Sequence, residues 1–531
     1  MFNAASKTDR DLLHSRPIDL HVWCFHPDIN VFVDEIHEKY FVCNGQQEKN
    51  IGKHHLKIVL INLYLAWIED PDLCLTVDLN NNVYKKNFRY HRLQITKKII
   101  SIIKLLVEQD LIDLVNGFYK RGGGSRKSRI WPSLKLVGHF NKLKIDKFYF
   151  TDGCYLLMIS RKSLSNAKGT GAEYKKVGVD RECIIRKENN MGKKPYQMQN
   201  QMPYKDTPKI RSMRQDLMAY NYLLAQTHIS LGFLDESYLE VRRFTRRVKM
   251  TMPDNLHQRV RRIPVNQYFK FTSREFSSKN WRKGGRHIGG WWQKIPSEYR
   301  SDIRINNRAT IEVDYSDYYI ALLYAEKGKQ YWKTIGKDPY VLTGSQPDFF
   351  SGRIFFAENK ITQKNQMPAI NRQCVKILCR MLLKSKTLEN AYSAFRKNIR
   401  DNQPIWADRI NWTNEHLNEV TTSIKQMHSS IAEFLGSGSG MQLDFVESEI
   451  TAKLLKYFTK RGVVVLTVDA SYVVQEEYHD ELIVILQDLW WEEIQKRLRT
   501  LLKKPAPVSA KQKKITPIRN KVGQHFELFD S

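Results

Sequence analysis

Two short apolar runs that each end in an aspartate constrain the fold of this chain most. Residues 311–314 read Ile-Glu-Val-Asp, and residues 463–469 read Val-Val-Val-Leu-Thr-Val-Asp. Alternating or β-branched apolar runs of this length predict strands. If the two strands lie side by side, Asp314 and Asp469 meet at one edge and offer hard oxygen ligands to a pair of Mg²⁺ ions. The alternative for either run alone is a buried strand followed by an aspartate in a turn.

The charge balance of the chain indicates a polyanionic partner. Lys and Arg number 86 against 56 Asp and Glu, which gives a formal net charge of +30 at pH 7. Nucleic acid is the polyanion that such an excess most often serves. Because we find no run of about 18 apolar residues and no signal-peptide core, we expect no membrane partner and a cytoplasmic location.

The cysteines carry little functional signal. There are seven, and none forms a Cys-x-x-Cys pair, which argues against a zinc ribbon and against a disulfide framework. Cys374 and Cys379 lie in a basic helical segment, where we expect them to be packing residues.

Length and patterning predict an α+β protein of several domains. A chain of 531 residues with 42% hydrophobic composition is long enough for two or three cores. We place a winged-helix-like DNA-binding domain at 1–150 and a polar connection at 151–203. A helical, nucleic-acid-binding region follows at 204–310, with a helix starting at Asp206-Thr207-Pro208. Residues 311–502 carry both acidic strands, and residues 503–531 form a basic C-terminal tail.

The first region has the element order of a winged helix. Helices are predicted at 56–68 and 96–106, and a strand at 111–115 is followed by a basic, glycine-rich tip and a second strand that ends at Trp131-Pro132. In a winged helix one helix enters the major groove and the wing lies against phosphates. The alternative is a β-hairpin with a solvated tip. The residues expected to contact nucleic acid here are Lys97, Lys98, Lys120, Arg121, Arg126, Lys127 and Arg129.

A second basic segment precedes the first acidic strand. Gly284 and Gly285 stand before Arg286, and Trp291 and Trp292 follow it. Paired glycines let the backbone approach a phosphate, while the tryptophans offer stacking faces for bases. We expect this segment to bind the template or primer, although core tryptophans behind a glycine turn are an equal alternative.

The order of these features resembles the palm and fingers of family A DNA polymerases and of the related phage-type single-subunit RNA polymerases. It is most similar to bacterial and mobile-element polymerase-like proteins that carry an N-terminal winged helix. The resemblance covers roughly residues 204–480. It implies a right-hand polymerase-like palm, built on an antiparallel sheet, with helical fingers within 311–502 and a thumb-like region within 204–310.

Two motifs carry the resemblance best. Asp314-Tyr315-Ser316 matches motif A, which implies that Asp314 binds both catalytic metals and that Tyr315 lies at the nucleotide. The motif B helix corresponds to residues 371–380, where Arg372, Lys376 and Arg380 share one helix face. In the family that face meets the incoming triphosphate. The Tyr-Gly pair often found about seven residues beyond the Lys is absent here.

Motif C leaves two registers open. The family has His-Asp on a hairpin turn, and an ungapped alignment puts Asp469 at the His and Ala470 at the Asp. A slide of one residue restores Asp469 as the second metal ligand, and we prefer it. His479-Asp480-Glu481 spells the motif by letter, but we expect it to begin the amphipathic helix at 482–501. Glu447 and Glu449 are expected to be surface or capping groups of a helix that runs to Phe458.

One position bears on the sugar of the substrate. The fifth residue after the motif A aspartate is a bulky Glu in the DNA-making branch and Gly in the RNA-making branch. Here it is Tyr319, which favours deoxynucleotides if its side chain faces the sugar.

The resemblance therefore implies a template-directed nucleotidyltransferase, in the first place a DNA polymerase that replicates a bacterial or mobile element. Its cofactors would be two Mg²⁺ ions, with Mn²⁺ as an alternative, and its partners DNA and nucleoside triphosphates. The second hypothesis is a non-catalytic DNA-binding or replication-initiation protein on the same scaffold. The third is a single-subunit RNA polymerase or primase.

Overall fold

A computed structural model of the protein shows a mixed α+β chain. The residues that the structure describes are 10–12, 14–24, 26–41, 46–81, 83–84, 95–119, 125–143, 183–186, 202, 204–234, 238–246, 256–265, 267, 270–276, 281–314, 318–342, 360–402, 413–468, 470–502, 518–520 and 525–526. Within those ranges no helix is long and apolar enough to cross a membrane.

Twelve α-helices occur in the described part of the chain. They are α1 (Pro27–Tyr40), α2 (Gln46–Glu69), α3 (Lys98–Glu108), α4 (Leu134–Phe140), α5 (Pro208–Gln226), α6 (Tyr318–Glu326), α7 (Tyr331–Thr334), α8 (Lys360–Lys384), α9 (Leu388–Asn402), α10 (Asn414–Met427), α11 (Gly440–Lys460) and α12 (His479–Leu502).

The strands fall into a group before residue 315 and a second group after residue 465. They are β1 (Ser15–Pro17), β2 (Cys74–Val77), β3 (Ile112–Val115), β4 (Phe118–Tyr119), β5 (Ser125–Arg126), β6 (Ser128–Pro132), β7 (Ile184–Arg186), β8 (Ile229–Leu231), β9 (Tyr238–Arg246), β10 (Leu256–Pro264), β11 (Thr272–Phe276), β12 (Gly284–Gly289), β13 (Ile303–Ile305), β14 (Arg308–Asp314), β15 (Leu466–Val468), β16 (Ser471–Gln475), β17 (Ile518–Asn520) and β18 (His525–Phe526).

The chain divides into two compact units that are not continuous in sequence. The first comprises residues 1–242, 260–275 and 288–309, and the second comprises residues 243–259, 276–287 and 310–531. The border before residue 310 lies one residue from the predicted domain boundary. The predicted region 204–310, in contrast, is shared between the two units.

The N-terminal part of the first unit contains the predicted helices and strands together with further elements. Helix α3 and strands β3 and β6 lie within two residues of their predicted positions, but α2 begins at Gln46, ten residues before its predicted start. The sheet has the order β1-β2-β6-β3, and β1 and β2 were not predicted. Apolar residues of α1, α2 and α3 form one core, with Ile99, Ile103 and Leu106 of α3 facing inward. This inward stripe repeats every three to four residues, as expected for an amphipathic helix.

Helix α5 begins where its sequence predicts. The Thr207 hydroxyl accepts a hydrogen bond from the Ile210 backbone N–H, and Pro208 occupies the first turn, where its missing N–H costs nothing. The other end is held by Lys270, whose ammonium group donates to the carbonyl oxygens of Thr227 at 2.6 Å and Ala225 at 3.3 Å. Burial lowers the pKa of Lys270 to about 8.

Strands β13 and β14 form a tight hairpin. Ile305 pairs with Arg308, so Asn306 and Asn307 alone make the turn, with φ angles of 51° and 63°. Two consecutive positive φ angles define the type I′ turn that fits strand twist, and Asn tolerates them. This turn sets the register in which β14 begins.

In the second unit, β14 lies between strands from much later in the chain. Residues 310–314 pair antiparallel with β16, and β16 pairs with β15 in a hairpin. The predicted strand at 463–469 is shorter than expected, since only Leu466–Val468 is strand, while Val463, Val464 and Val465 are buried before it. The end of β14 also pairs with β17, so part of the predicted tail at 503–531 is strand.

Candidate active site

The backbone brings the neighbourhoods of both predicted aspartates together. Asp314 is the last residue of β14, and its backbone pairs with that of Ser471, the first residue of β16. Ser471 also pairs with Val468, the last residue of β15, and follows Asp469 by two positions. The side chain of Asp314 and the whole of Asp469 lie outside the described residues.

Buried hydrogen bonds fix the strands at this edge. The Ser471 hydroxyl donates to Glu312 Oε1 at 2.5 Å, and both residues are buried. The hydroxyls of Tyr472 and Thr451 lie 2.8 Å apart, which ties β16 to α11. A buried polar pair is costly unless it is hydrogen-bonded, so these contacts select one register of β14 against β16.

The described side chains alone do not form a metal centre. Among them no group of three or more His, Cys, Asp or Glu is placed to hold a metal ion. The pairing of Asp314 with Ser471 is compatible with two carboxylates at one strand edge, where Mg²⁺ would find hard oxygen ligands. Asp314 and Asp469 are the residues that would hold it.

A buried ionic cluster lies on the elements that flank this edge. Arg286 of β12 donates through Nη2 to Glu447 Oε2 at 2.8 Å and to the Tyr319 hydroxyl at 2.9 Å. The Tyr319 hydroxyl bonds in turn to Asp444 and contacts Glu447 Oε2 at 2.9 Å. Lys384 Nζ, at the end of α8, lies 3.4 Å from Asp444 Oδ1. We call these five residues the Tyr319 cluster.

Burial sets the protonation of the Tyr319 cluster. It raises the pKa of Glu447 above its ordinary value and, together with the nearby carboxylates, raises the pKa of Tyr319 far above 10. Burial alone would lower the pKa of Arg286, but Glu447 and the other acidic partners raise it overall. Burial also lowers the pKa of Lys384, with Asp444 opposing the shift. Arg286 therefore stays charged and Tyr319 stays neutral.

The glycines before Arg286 are required by its packing. Gly284 and Gly285 have φ angles of 74° and 84°, which favour glycine. A Cβ atom on Gly285 would lie 2.7 Å from Ser448 Oγ and 2.8 Å from the ring of Phe276. The Ser448 hydroxyl also lies 3.2 Å from the Gly284 carbonyl oxygen. The paired glycines thus let β12 approach α11 closely, which places Arg286 beside Glu447.

The predicted motif B face is helical and carries its cations toward one aromatic ring. Asp338 forms an ion pair with Arg372, and the Tyr340 ring lies 5.4 Å from Arg372 Cζ and 5.8 Å from Lys376 Nζ. Arg380 is half-buried on the same helix. Cys374 and Cys379 are buried beside this face, in agreement with a packing role.

Three sequence-based expectations about side chains require correction. Trp291 and Trp292 are 1% and 0% exposed, so they are core residues and offer no face to a base. Tyr319 is 8% exposed, and its hydroxyl is held by carboxylates rather than turned toward a sugar. Glu447 is also buried, because Arg286 and Tyr319 pair with it, and it is neither a surface group nor a helix cap.

The basic residues predicted to contact nucleic acid in the N-terminal region differ in their exposure and in their contacts. Lys97 and Lys98 are exposed at the start of α3. The guanidinium of Arg126 lies over the ring of Phe118 at 5.3 Å, and Lys127 pairs with Asp78 at 3.5 Å while remaining half-exposed. Arg129 instead donates to the backbone carbonyl oxygens of Leu12 and Lys127, so its role is at least partly structural.

The run His479-Asp480-Glu481 lies at the start of a helix. Tyr315, Lys120 and Arg121 lie outside the described residues. His479 begins α12, as predicted for the His479-Asp480-Glu481 run, and the Asp480 side chain is 98% exposed. An exposed carboxylate in a first helical turn is favoured by the helix dipole.

Sequence reasoning missed Asp444, Glu447, Lys384 and Asp338 as members of the site. Glu447 and Ser448 stand one turn after Asp444 on α11, a spacing that places Asp444 and Glu447 on one helix face. The sequence shows that spacing, but Arg286, the partner of Glu447, lies 161 residues away. No local pattern reports a pairing at that distance.

Comparison with known proteins adds no family assignment. No protein-family model matches this chain, and no curated protein matches its sequence. The likeness to polymerases therefore rests on the motifs of this sequence.

Proposed function

We propose that this protein is a template-directed nucleotidyltransferase, in the first place a DNA polymerase of the family A type. The observation that carries the proposal is the pairing of Asp314 with Ser471, two residues after Asp469. Ser471 also pairs with Val468, the residue before Asp469, and this register supports a placement of the two aspartates at one strand edge although they stand 155 positions apart in the sequence. Two Mg²⁺ ions, when bound there, would stabilise the attacking and leaving oxygens of phosphoryl transfer.

The other residues of the proposal act by charge and position. Arg372 and Lys376 of α8 would hold the triphosphate, since cations aimed at a leaving pyrophosphate stabilise the transition state. Arg286 would fix the geometry of the Tyr319 cluster, and the template or primer would contact the exposed basic surface. The net charge of +30 supports a nucleic-acid partner.

The direct test is primer extension on a primed single-stranded template with Mg²⁺ or Mn²⁺. We expect the wild-type protein to extend the primer, and Asp314→Ala and Asp469→Ala each to reduce the rate by at least about a thousandfold. DNA affinity should stay within a few-fold of wild type. Parallel reactions with the four deoxynucleotides and the four ribonucleotides identify the sugar preference.

Asp480→Ala is the matched control, because it makes the same chemical change at an exposed aspartate. We expect it to leave extension unchanged. Loss of extension in Asp480→Ala but not in Asp469→Ala would move motif C to His479-Asp480-Glu481. Extension retained in Asp314→Ala would refute the proposal.

A second candidate is a DNA-binding or replication-initiation protein without catalysis. Ala470 favours it, because the ungapped alignment of motif C puts alanine where the second metal ligand belongs. This candidate requires salt-sensitive DNA binding with no incorporation under either metal. The same extension assay therefore separates the two.

A further inference from the structure

A short turn at residues 338–340 packs against the cationic face of α8. Asp338 Oδ2 lies 2.5 Å from Nε of Arg372, and each of the two side chains is 14% exposed. The Tyr340 ring lies near both Arg372 and Lys376 on the same side. One carboxylate and one aromatic ring therefore restrain the first two cations of the predicted motif B face.

This turn is itself held in place. The other carboxylate oxygen of Asp338, Oδ1, accepts a hydrogen bond from the Tyr340 backbone N–H at 2.9 Å. The carbonyl oxygen of Pro339 lies 2.8 Å from His428 Nε2, and His428 is fully buried after α10. These two contacts hold the turn, and with it the Asp338 carboxylate, in one position against Arg372. A side chain fixed in this way is expected in a preorganised site.

The ion pair joins the Asp338 carboxylate to Nε of the Arg372 guanidinium group. Asp338 contacts Nε, whereas Nη2 is buried and has no hydrogen-bond acceptor among the described residues. A guanidinium group donates in a planar fork that matches a phosphate, and a buried N–H without an acceptor is unfavourable. A phosphate oxygen at Nη2 would remove that deficit while the contact at Nε stays intact.

We propose that Asp338 is a positioning residue that orients Arg372 for the terminal phosphates of a nucleoside triphosphate, with Lys376 as the second cation. This inference rests on the proposed function and adds to it the residue that fixes the arginine. Arg372, Lys376 and Arg380 outnumber Asp338 in charge, so the face as a whole attracts an anion.

The test is equilibrium binding of dATP and of inorganic triphosphate by isothermal titration calorimetry, without primer or template. We expect Arg372→Gln to raise the Kd for both by roughly ten- to a hundredfold, because charge-assisted hydrogen bonds are lost. Asp338→Asn should raise it by roughly five- to tenfold, because the guanidinium group is no longer held in place.

The direction in which Asp338→Asn changes the Kd shows whether Asp338 orients Arg372 or merely repels the phosphate. Removing a negative charge beside an anion site strengthens binding if Asp338 merely repels or competes with the phosphate. Unchanged or tighter binding would therefore overturn the inference. In the Arg372→Gln background, Asp338→Asn should cause no further loss, since the two residues act as one unit.

Two further variants guard against misfolding and general charge effects. Arg372→Lys keeps the charge but lacks the Nε–H and the fork, and we expect it to bind within about threefold of Arg372→Gln. Wild-type affinity in Arg372→Lys would overturn the inference. Glu433→Gln breaks the exposed pair with Lys327 in the same unit and should bind like wild type. A loss as large as that of Asp338→Asn would also overturn it.

A short single-stranded oligonucleotide forms the last arm of the test. We expect all variants to bind it within about twofold of wild type. If Asp338→Asn and Arg372→Gln weaken oligonucleotide binding alone, the site holds a nucleic-acid backbone and the inference fails. Primer extension can fail while triphosphate binding responds as expected, in which case only the proposed function is lost.

Discussion

One hydroxyl group joins the two carboxylates of the Tyr319 cluster. Tyr319→Phe removes it, so Asp444 loses a hydrogen-bond donor and Glu447 a close polar contact inside the protein. We expect the free energy of unfolding to fall by about 1–3 kcal/mol, the typical net contribution of a hydrogen bond to a carboxylate, because Arg286 and Lys384 still pair with both acids. Urea unfolding at neutral pH measures the change.

Tyr222→Phe makes the same substitution on an exposed side chain and serves as the control. It should change the free energy of unfolding by less than about 0.5 kcal/mol. Equal stability of Tyr319→Phe and wild type would show that the cluster does not depend on the hydroxyl.

Lys270 predicts a pH dependence at the scale of one residue. Its pKa is about 8 in the folded protein and near 10.5 when exposed, so the unfolded chain binds more protons between these values. The free energy of unfolding should therefore rise between pH 8 and about 10.5, by up to roughly 3 kcal/mol from this group. Urea unfolding of wild type and Lys270→Gln at pH 7.5 and 10 isolates the contribution, because the variant lacks the titrating group. An identical pH dependence in both proteins would contradict it.

Helix α3 carries exposed lysines, and its predicted contact with DNA can be tested at the scale of this one element. Lys97 and Lys98 stand at its N-terminus, where the first turn has no acidic residue and the Thr96 hydroxyl accepts a hydrogen bond from the Lys98 backbone N–H. Positive charges at a helix N-terminus destabilise the helix by about 0.3–1 kcal/mol each, because they repel the positive end of its dipole. A bound phosphate would neutralise them and interact favourably with the same end of the dipole. Lys104 is exposed further along the helix.

The triple substitution of Lys97, Lys98 and Lys104 by Gln tests this surface. We expect DNA affinity to fall, and the slope of log K against log salt to become shallower by about two to three, because fewer phosphates are neutralised. Fluorescence anisotropy with duplex DNA at several salt concentrations measures both quantities. Replacement of exposed Lys142, Lys205 and Lys209 by Gln makes the same charge change elsewhere in this unit. An equal loss in both triple variants would mean that net charge, not α3, governs binding.

Elements with a strong local signal were predictable from the sequence. Helices α3 and α5 and strands β3, β6 and β14 follow from periodicity, and Pro208 and Thr207 mark the start of α5. The strand at 463–469 was predicted too long, because Val463 to Val465 are buried and carry the same apolar signal but precede the strand, which is Leu466–Val468. Burial and strand pairing are not separable by composition alone.

At the scale of the whole molecule, the sequence could not predict which distant segments associate. The segment at 276–287 belongs with residues after 310, although the sequence places it among residues of the other unit. Trp291 and Trp292 show the same limit, since an aromatic pair near a basic turn has the same sequence whether it is buried or exposed. What decides both cases is packing against residues far away in the chain.

Because the chain is synthesised from its N-terminus, Arg286 is made well before the carboxylates that pair with it. Its partner Glu447 leaves the ribosome 161 residues later, which at about 5–20 residues per second is an interval of roughly 8–30 s. During that interval Asp444 and Glu447 are absent, so Arg286 has no carboxylate to pair with. Helix α11, against which Gly284 and Gly285 pack, is absent as well. If the ribosome pauses before residue 440, α11 has not been made, and the second unit cannot yet form the contacts of Arg286 with Asp444 and Glu447.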